Sequence, residues 1–273
     1  DNIQIKMLIK PGAEIHSYDP TPQDLIAIQK SDLFVYNGGE SDEWVDEILI
    51  SMEENAPKTL RLIESVALLE EEHFDEEHFH EHEEECHHGH SAEELEADEH
   101  VWTSPENARK MVDFVAKALE SLEELKFEDK AKIKENAEDY KNQIDEVESE
   151  IKQVLKSKSE KFIVMGDRFP LQYFAKYYGI EYIAAFSGCS TAVEASTQTI
   201  GKLIKTVEEK NLPAVFHIEL SNHKIADTVA EAAKVATYQL NSVQNISKAD
   251  FDNGETWVSL MKKNALALDN GMR

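Results

Sequence analysis

Basic residues, cysteines and long apolar runs are all scarce in this chain. It has 28 Lys and Arg against 55 Asp and Glu, and its formal net charge is −27. Such a charge excludes nucleic-acid binding, because contacts with phosphates need cationic side chains. No apolar run approaches the ~18–20 residues that span a bilayer. Two cysteines, Cys86 and Cys189, are too few for a disulfide framework. Of these features, the negative net charge favours a cation as the partner.

Short apolar segments alternate with amphipathic ones in two separate series along the chain. The first series opens with alternating Ile3, Ile5, Met7 and Ile9, which predict a half-buried strand. The second series runs over residues 161–240. Alternation of strand and helix predicts parallel sheets, so each series predicts an α/β lobe.

A long amphipathic segment separates the two series. Residues 129–157 place apolar side chains three and four positions apart without Pro or Gly, which predicts one helix of roughly 40 Å. We therefore expect an α/β fold with two lobes and parallel-type sheets, joined by one long linking helix. The expected boundaries are 1–125 for the N-terminal lobe, 126–159 for the linking helix and 160–273 for the C-terminal lobe.

Residues 70–99 interrupt the first series with a histidine- and acid-rich tract. The tract holds seven histidines, fifteen acidic residues and neither Lys nor Arg, so its composition does not predict a packed core. Imidazoles beside carboxylates can collect Zn²⁺ weakly and raise its local concentration. The alternative is a solvated acidic loop without a binding role.

Two histidines outside the tract occupy positions suited to a ligand. His16 follows the first predicted strand in a loop, where open α/β sheets bind their ligands. His100 lies between the tract and a helix start at Ser104-Pro105, with Asp98 and Glu99 close enough in sequence to orient its ring. Either histidine alone could be an ordinary loop residue. Together, in a chain with such a tract, they predict a metal site.

These motifs resemble those of the zinc and manganese solute-binding proteins of ABC importers. The resemblance rests on 11–18 (PGAEIHSY), the tract, 99–105 (EHVWTSP), the long helix and 173–179 (YFAKYYG), in this order. It implies two rigid lobes with a metal in the cleft between them. It also implies an exported, lipid-anchored, monomeric protein that hands its metal to a membrane permease and is not an enzyme.

The resemblance implies that His16 and His100 are metal ligands. It also implies that the C-terminal lobe supplies the remaining ligands. Asp167 lies nearest the third ligand position, after the strand at 161–165, and Gln244 lies in a late loop that has no acid. The neighbouring Arg168 could pair with Asp167 and would repel a dication. In that case Glu14, water or histidines of the tract would complete the site.

The residue types favour Zn²⁺ over Mn²⁺ as the cargo, since imidazole and one carboxylate suit tetrahedral zinc whereas manganese prefers more oxygens. Two other functions stay open. A zinc hydrolase could use His16, His100 and Asp167 around an activated water, although the sequence has no His-Glu-x-x-His helix. A surface protein for adhesion or metal buffering could rely on the tract alone.

Overall fold

A computed structural model describes residues 3–13, 15, 18–72, 97–188 and 194–273 of the chain. The strands are β1 (Leu33–Tyr36), β2 (Lys58–Arg61), β3 (Phe162–Arg168), β4 (Glu181–Phe186), β5 (Ala214–Ile218) and β6 (Ala236–Leu240). The helices are α1 (Pro22–Gln29), α2 (Glu43–Met52), α3 (Pro105–Glu120), α4 (Phe127–Lys156), α5 (Gln172–Tyr178), α6 (Thr197–Glu209), α7 (Lys224–Ala233), α8 (Lys248–Asp252) and α9 (Trp257–Gly271). Within these residues, no helix combines the length and the apolar character needed to cross a membrane.

The C-terminal lobe is built on a parallel sheet with strand order β4-β3-β5-β6. Helices cover both of its faces. One apolar cluster joins the sheet to α4, α5 and α9, and a second joins it to α6 and α7. The strands of a parallel sheet that is buried on both sides are nearly continuously apolar in sequence, which explains why the series over residues 161–240 predicts this lobe.

The N-terminal lobe has a smaller sheet, in which β1 and β2 pair in parallel. The predicted strand at residues 3–9 is wrong, because this segment has no strand structure and does not join that sheet. Its alternating side chains are not half-buried either: Ile5 is 89% exposed and Met7 is 50% exposed. Alternation predicts a strand only where a neighbouring strand completes the hydrogen bonds and a core covers one face.

Helix α4 is the predicted linking helix, and its 30 residues give a length of roughly 45 Å at ~1.5 Å per residue. It packs against α3 of the N-terminal lobe and α9 of the C-terminal lobe. The fold class is therefore confirmed: two α/β lobes with parallel sheets, bridged by one long helix. Helix α3 also begins as predicted, with the Ser104 side chain accepting from the backbone N of Asn107 and Pro105 in the first turn.

Most of the histidine- and acid-rich tract, residues 73–96, lies outside the described residues. The two ends of the tract meet, since Glu70 and Ala97 form an antiparallel bridge. The backbone N of Asp98 also donates to the carbonyl of Leu69 at 2.9 Å. The described residues on either side of this segment are therefore neighbours, directly before His100.

Candidate metal centre

His100 is held in one orientation by the aspartate two residues before it. Its side chain is fully buried, and Nδ1 lies 2.7 Å from Oδ1 of Asp98, which also accepts from the backbone N of His100 at 2.8 Å. A carboxylate on Nδ1 fixes the ring and makes Nε2 the nitrogen that a metal would take. The prediction that a nearby carboxylate orients this ring is confirmed.

The loop that carries His100 is fastened to the end of β1. The carboxylate of Glu99 accepts from the backbone N of Ser41 at 3.0 Å and from its hydroxyl. Asn37, directly after β1, donates from Nδ2 to the carbonyl of Glu99 at 2.9 Å. The histidine therefore lies beside the carboxyl end of a parallel strand, as ligand-binding residues of open α/β sheets do.

Trp102 connects this loop to the other lobe. Its indole N donates to the carbonyl of Ser242 at 2.8 Å, while its own carbonyl accepts from the indole N of Trp257 at 3.0 Å. Its ring also meets the His100 ring edge to face, with centroids 5.5 Å apart. The candidate metal ligand and the late loop of the C-terminal lobe are thus joined through one side chain.

Asp167 lies near the carboxyl end of β3, at a break in the regular strand pairing. The register between β3 and β4 shifts between Met165 and Arg168, and such bulges re-aim side chains next to functional sites. Oδ1 of Asp167 accepts from the backbone N of Arg168 at 2.9 Å. Oδ2 is buried and accepts no hydrogen bond from any of the described residues. A buried carboxylate oxygen in this state is costly unless a cation or a donor binds it.

The late loop, residues 241–245, is held from two sides. Glu219 follows β5 and accepts from the backbone N of Ser242 at 2.7 Å and from its hydroxyl at 2.6 Å. Asn264 of α9 accepts from the backbone N of Asn241 at 2.7 Å and donates to its carbonyl at 2.9 Å. Glu219 therefore holds the late loop in place, and it also lies in the lining of the cleft described below. Burial raises the pKa of its carboxyl group, against the lowering effect of those hydrogen bonds.

A cleft of about 240 Å³ brings several of the predicted residues together. Asp167 and Gln244 both line it, and so do Ala13 and Ile15, which belong to the segment before helix α1, here called the first loop. The first loop is attached to the late loop, because Nδ2 of Asn245 donates to the carbonyl of Ala13 at 2.6 Å. Residues of both lobes therefore form the walls of one cleft.

The two predicted histidine ligands differ in what the structure shows of their position relative to this cleft. His16 lies outside the described residues, as does Glu14, the alternative donor. His100 is not among the described residues that line the cleft. Its ring instead approaches Gly188, where an added Cβ would come within 3.4 Å of Cε1 of His100. Among the described parts of the chain, no three His, Cys, Asp or Glu side chains converge to hold a metal ion.

A stacked histidine pair near the cleft was missed by the sequence reasoning. The rings of His217 and His223 lie 4.3 Å apart between centroids. Burial lowers the pKa of His217, against smaller opposing effects from a hydrogen bond to the carbonyl of Ile218 and from the charge of Asp167. The available signal was its place at the carboxyl end of β5, the neighbour of β3. The pairing with His223 depends on the turn before α7, which the sequence did not reveal.

Comparison with known proteins finds that this chain is similar to zinc-uptake and zinc-binding proteins. A sequence profile of the family described as zinc-uptake complex component A, periplasmic (ZnuA), matches residues 1–271. The high-affinity zinc uptake system protein ZnuA of Bacillus subtilis (strain 168) is 31% identical, over 100% of this chain and 82% of that protein. The zinc-binding lipoprotein AdcA of Streptococcus pneumoniae (strain R6) is 29% identical over 98% of this chain but 51% of AdcA. The chain thus spans about half the length of that relative.

The fold is shared with a solved structure as well. The Zn(II)-bound ZnuA-like domain of S. pneumoniae AdcA superposes with a TM-score of 0.77 at 24% identity, over 100% of this chain and 91% of that domain. The match includes both lobes and the linking helix. With a family profile over nearly the whole sequence and the same architecture, the chain belongs to the ZnuA family of periplasmic zinc-uptake components.

Proposed function

We propose that this protein captures Zn²⁺ outside the cytoplasm and delivers it to the permease of an ABC importer. The observation that carries the proposal is His100, a fully buried imidazole whose Nδ1 is held by Asp98. A histidine fixed in this way is typical of metal ligands, because the carboxylate sets the tautomer and increases the basicity of the other nitrogen. The family and the two named zinc proteins support zinc as the cargo.

The proposed ligands are His16 and His100 from the N-terminal lobe and Asp167 from the C-terminal lobe, with Gln244 as a candidate fourth. The buried Oδ2 of Asp167 supports its role, since within the described part of the chain it accepts no hydrogen bond. The ligand set favours zinc over manganese because it offers two imidazoles and few anionic oxygens. Residues 1–125, 126–159 and 160–273 are proposed as the N-terminal lobe, the linking helix and the C-terminal lobe.

Several further features belong to the same proposal. We expect a monomer that binds without turnover, docks on a membrane permease and is lipid-anchored in the full-length protein. We also expect little opening of the cleft, which the hydrogen bonds of Trp102 to the other lobe support. Tyr173 of the C-terminal lobe also donates to the carbonyl of Asp98 at 2.9 Å. Release would then be driven by the permease.

The test is a zinc titration by calorimetry. We expect His16→Ala with His100→Ala to abolish one tight site, while His223→Ala, which removes an exposed imidazole outside the described cleft lining, leaves that site intact. A chain lacking residues 73–90 should keep the tight site and lose only weak binding. If that deletion alone removes tight binding, the protein buffers metal through the tract. Zinc-dependent ester or peptide hydrolysis that needs His16 would instead support the hydrolase.

A further inference from the structure

A tyrosine of the C-terminal lobe takes part in the backbone pairing of the N-terminal lobe. Leu69 and Asp98 lie next to the antiparallel bridge at the ends of the tract, and in a regular ladder such a pair exchanges two backbone hydrogen bonds. One of them is present, from the backbone N of Asp98 to the carbonyl of Leu69 at 2.9 Å. The hydroxyl of Tyr173 takes the place of the other. It accepts from the backbone N of Leu69 at 2.8 Å and donates to the carbonyl of Asp98 at 2.9 Å.

The aromatic ring of Tyr173 is also buried against the N-terminal lobe. It is 5% exposed and belongs to an apolar cluster with Ile63 and Val101. The residue before it on α5, Gln172, donates from Nε2 to the carbonyl of Glu70 at 2.9 Å. Helix α5 of the C-terminal lobe is therefore anchored to the segments of the N-terminal lobe that meet directly before the histidine loop.

Asp98 is the residue through which this contact reaches His100. Its backbone is held on both sides, at N by Leu69 and at the carbonyl by Tyr173, while its Oδ1 accepts from both Nδ1 and the backbone N of His100. Burial raises the pKa of Tyr173 to about 12, so the hydroxyl keeps its proton at neutral pH and remains a donor. A shift of the Tyr173 hydroxyl thus moves the carboxylate that orients the imidazole.

We propose that Tyr173 is a positioning residue for the zinc ligand His100, and that it makes zinc affinity depend on contact between the two lobes. Tyr173 does not bind the metal; it acts through the backbone of Asp98. Even a small displacement of α5 relative to the N-terminal lobe lengthens these hydrogen bonds and loosens the ring of His100. A permease that moves one lobe would thereby lower the affinity for zinc. This inference rests on the proposed function, because it concerns how the proposed zinc ligand is held.

Tyr173→Phe tests the inference, because it keeps the buried ring and removes the hydroxyl. In the full chain, competition calorimetry should show zinc affinity about tenfold lower, the usual effect of altering a group that orients a metal ligand. Tyr182→Phe is the matched control. It also removes a hydroxyl that joins the lobes, but that hydroxyl donates to Oε2 of Glu72 at 2.6 Å rather than to the backbone of Asp98. Zinc affinity should stay near wild type in the control, and an equal loss in both variants would overturn the inference.

Two further readouts separate positioning from a general loss of stability. Tyr173→Phe should weaken zinc binding less in an Asp98→Asn background than in the wild type, because both changes act on the same carboxylate. The visible absorption spectrum of Co²⁺, bound in place of Zn²⁺, depends on coordination geometry and should change in Tyr173→Phe. Additive losses of affinity, or an unchanged Co²⁺ spectrum, would overturn the inference.

A second variant keeps the test decisive if Tyr173→Phe does not fold, as judged by a thermal melt. Gln172→Ala removes the other hydrogen bond from α5 to this segment and should weaken zinc binding by a smaller factor than Tyr173→Phe. Wild-type affinity in Gln172→Ala would then overturn the inference. If the wild-type protein binds zinc tightly and the variants match it, this inference alone fails. If the wild type binds no zinc, the proposed function fails, and this inference fails with it.

Discussion

The two lobes hold their shape by different means. In the C-terminal lobe, large apolar side chains such as Phe174, Phe216 and Leu268 are buried between a four-stranded sheet and helices on both faces. Among the described residues of the N-terminal lobe the sheet has two strands, and Phe34 belongs to a small cluster with partly buried neighbours. There, Asn37 and Ser41 donate hydrogen bonds to Glu99, and Asp98 accepts from His100, so that polar contacts position the histidine loop. The C-terminal lobe is thus a platform, and the N-terminal lobe depends on polar contacts.

The largest effect should come from removing a core aromatic of the platform. Phe174→Ala should lower the free energy of unfolding by about 3–5 kcal/mol, because the dense surroundings cannot close the cavity. Phe34→Ala should cost less than Phe174→Ala, since its partly buried neighbours can relax into the gap. Urea denaturation of both variants checks the difference. Phe127→Ala, at a side chain that is 87% exposed, is the control and should stay near wild type. Equal losses at Phe174 and Phe34 would contradict the comparison.

A smaller effect on the free energy of unfolding is expected from substitution of Glu148, which lies on the linking helix where the two lobes meet. Burial alone would raise the pKa of Glu148, but hydrogen bonds from Lys152, Tyr177 and Arg109 lower it to about 2 from its usual 4.5. A carboxyl group with a lowered pKa stabilises the fold above its unfolded pKa and loses that contribution as pH falls towards its folded pKa. At pH 7, Glu148→Gln should therefore cost about 2 kcal/mol of unfolding free energy.

The pH profile is the specific readout of Glu148. Between pH 4.5 and about 2, the stability of the wild type should fall towards that of Glu148→Gln. Glu146→Gln, at an exposed position of the same helix, should follow the wild type throughout. A constant gap between wild type and Glu148→Gln down to pH 2 would mean that this carboxylate does not link the helices through its charge.

The smallest free-energy change is expected when a polar contact that orients the proposed zinc ligand of the N-terminal lobe is altered. Asp98→Asn should keep the size of the side chain yet weaken zinc binding about tenfold, because an amide orients and polarises His100 less well than a carboxylate. Calorimetry measures the affinity, and a thermal melt shows whether the fold is retained. Asp145→Asn, at a largely exposed aspartate on α4, is the matched control. Unchanged zinc affinity in Asp98→Asn would show that zinc binding does not depend on this polar contact of the N-terminal lobe.

Much of the fold was predictable because its elements carry local signals. The linking helix followed from apolar spacing without Pro or Gly, and α3 from Ser104 and Pro105. The strands of the buried sheet followed from apolar runs. The strand at 3–9 failed because its alternation depended on a partner strand that this segment does not have. A periodic pattern indicates which face of a strand or helix could be buried. Whether that face is buried depends on a neighbouring element that packs against it.

The candidate site likewise has features that the sequence predicts and features that depend on tertiary structure. The sequence by itself determined the residue types: an imidazole at 100 with an aspartate two residues before it, a carboxylate at 167 and an amide at 244. Tertiary structure alone decided that a bulge in β3 accompanies Asp167, that Glu219 and Asn264 hold the late loop, and that Trp102 joins it to His100. Those contacts connect residues far apart in the chain. Their formation depends on how the sheet and helices pack, which no local pattern encodes.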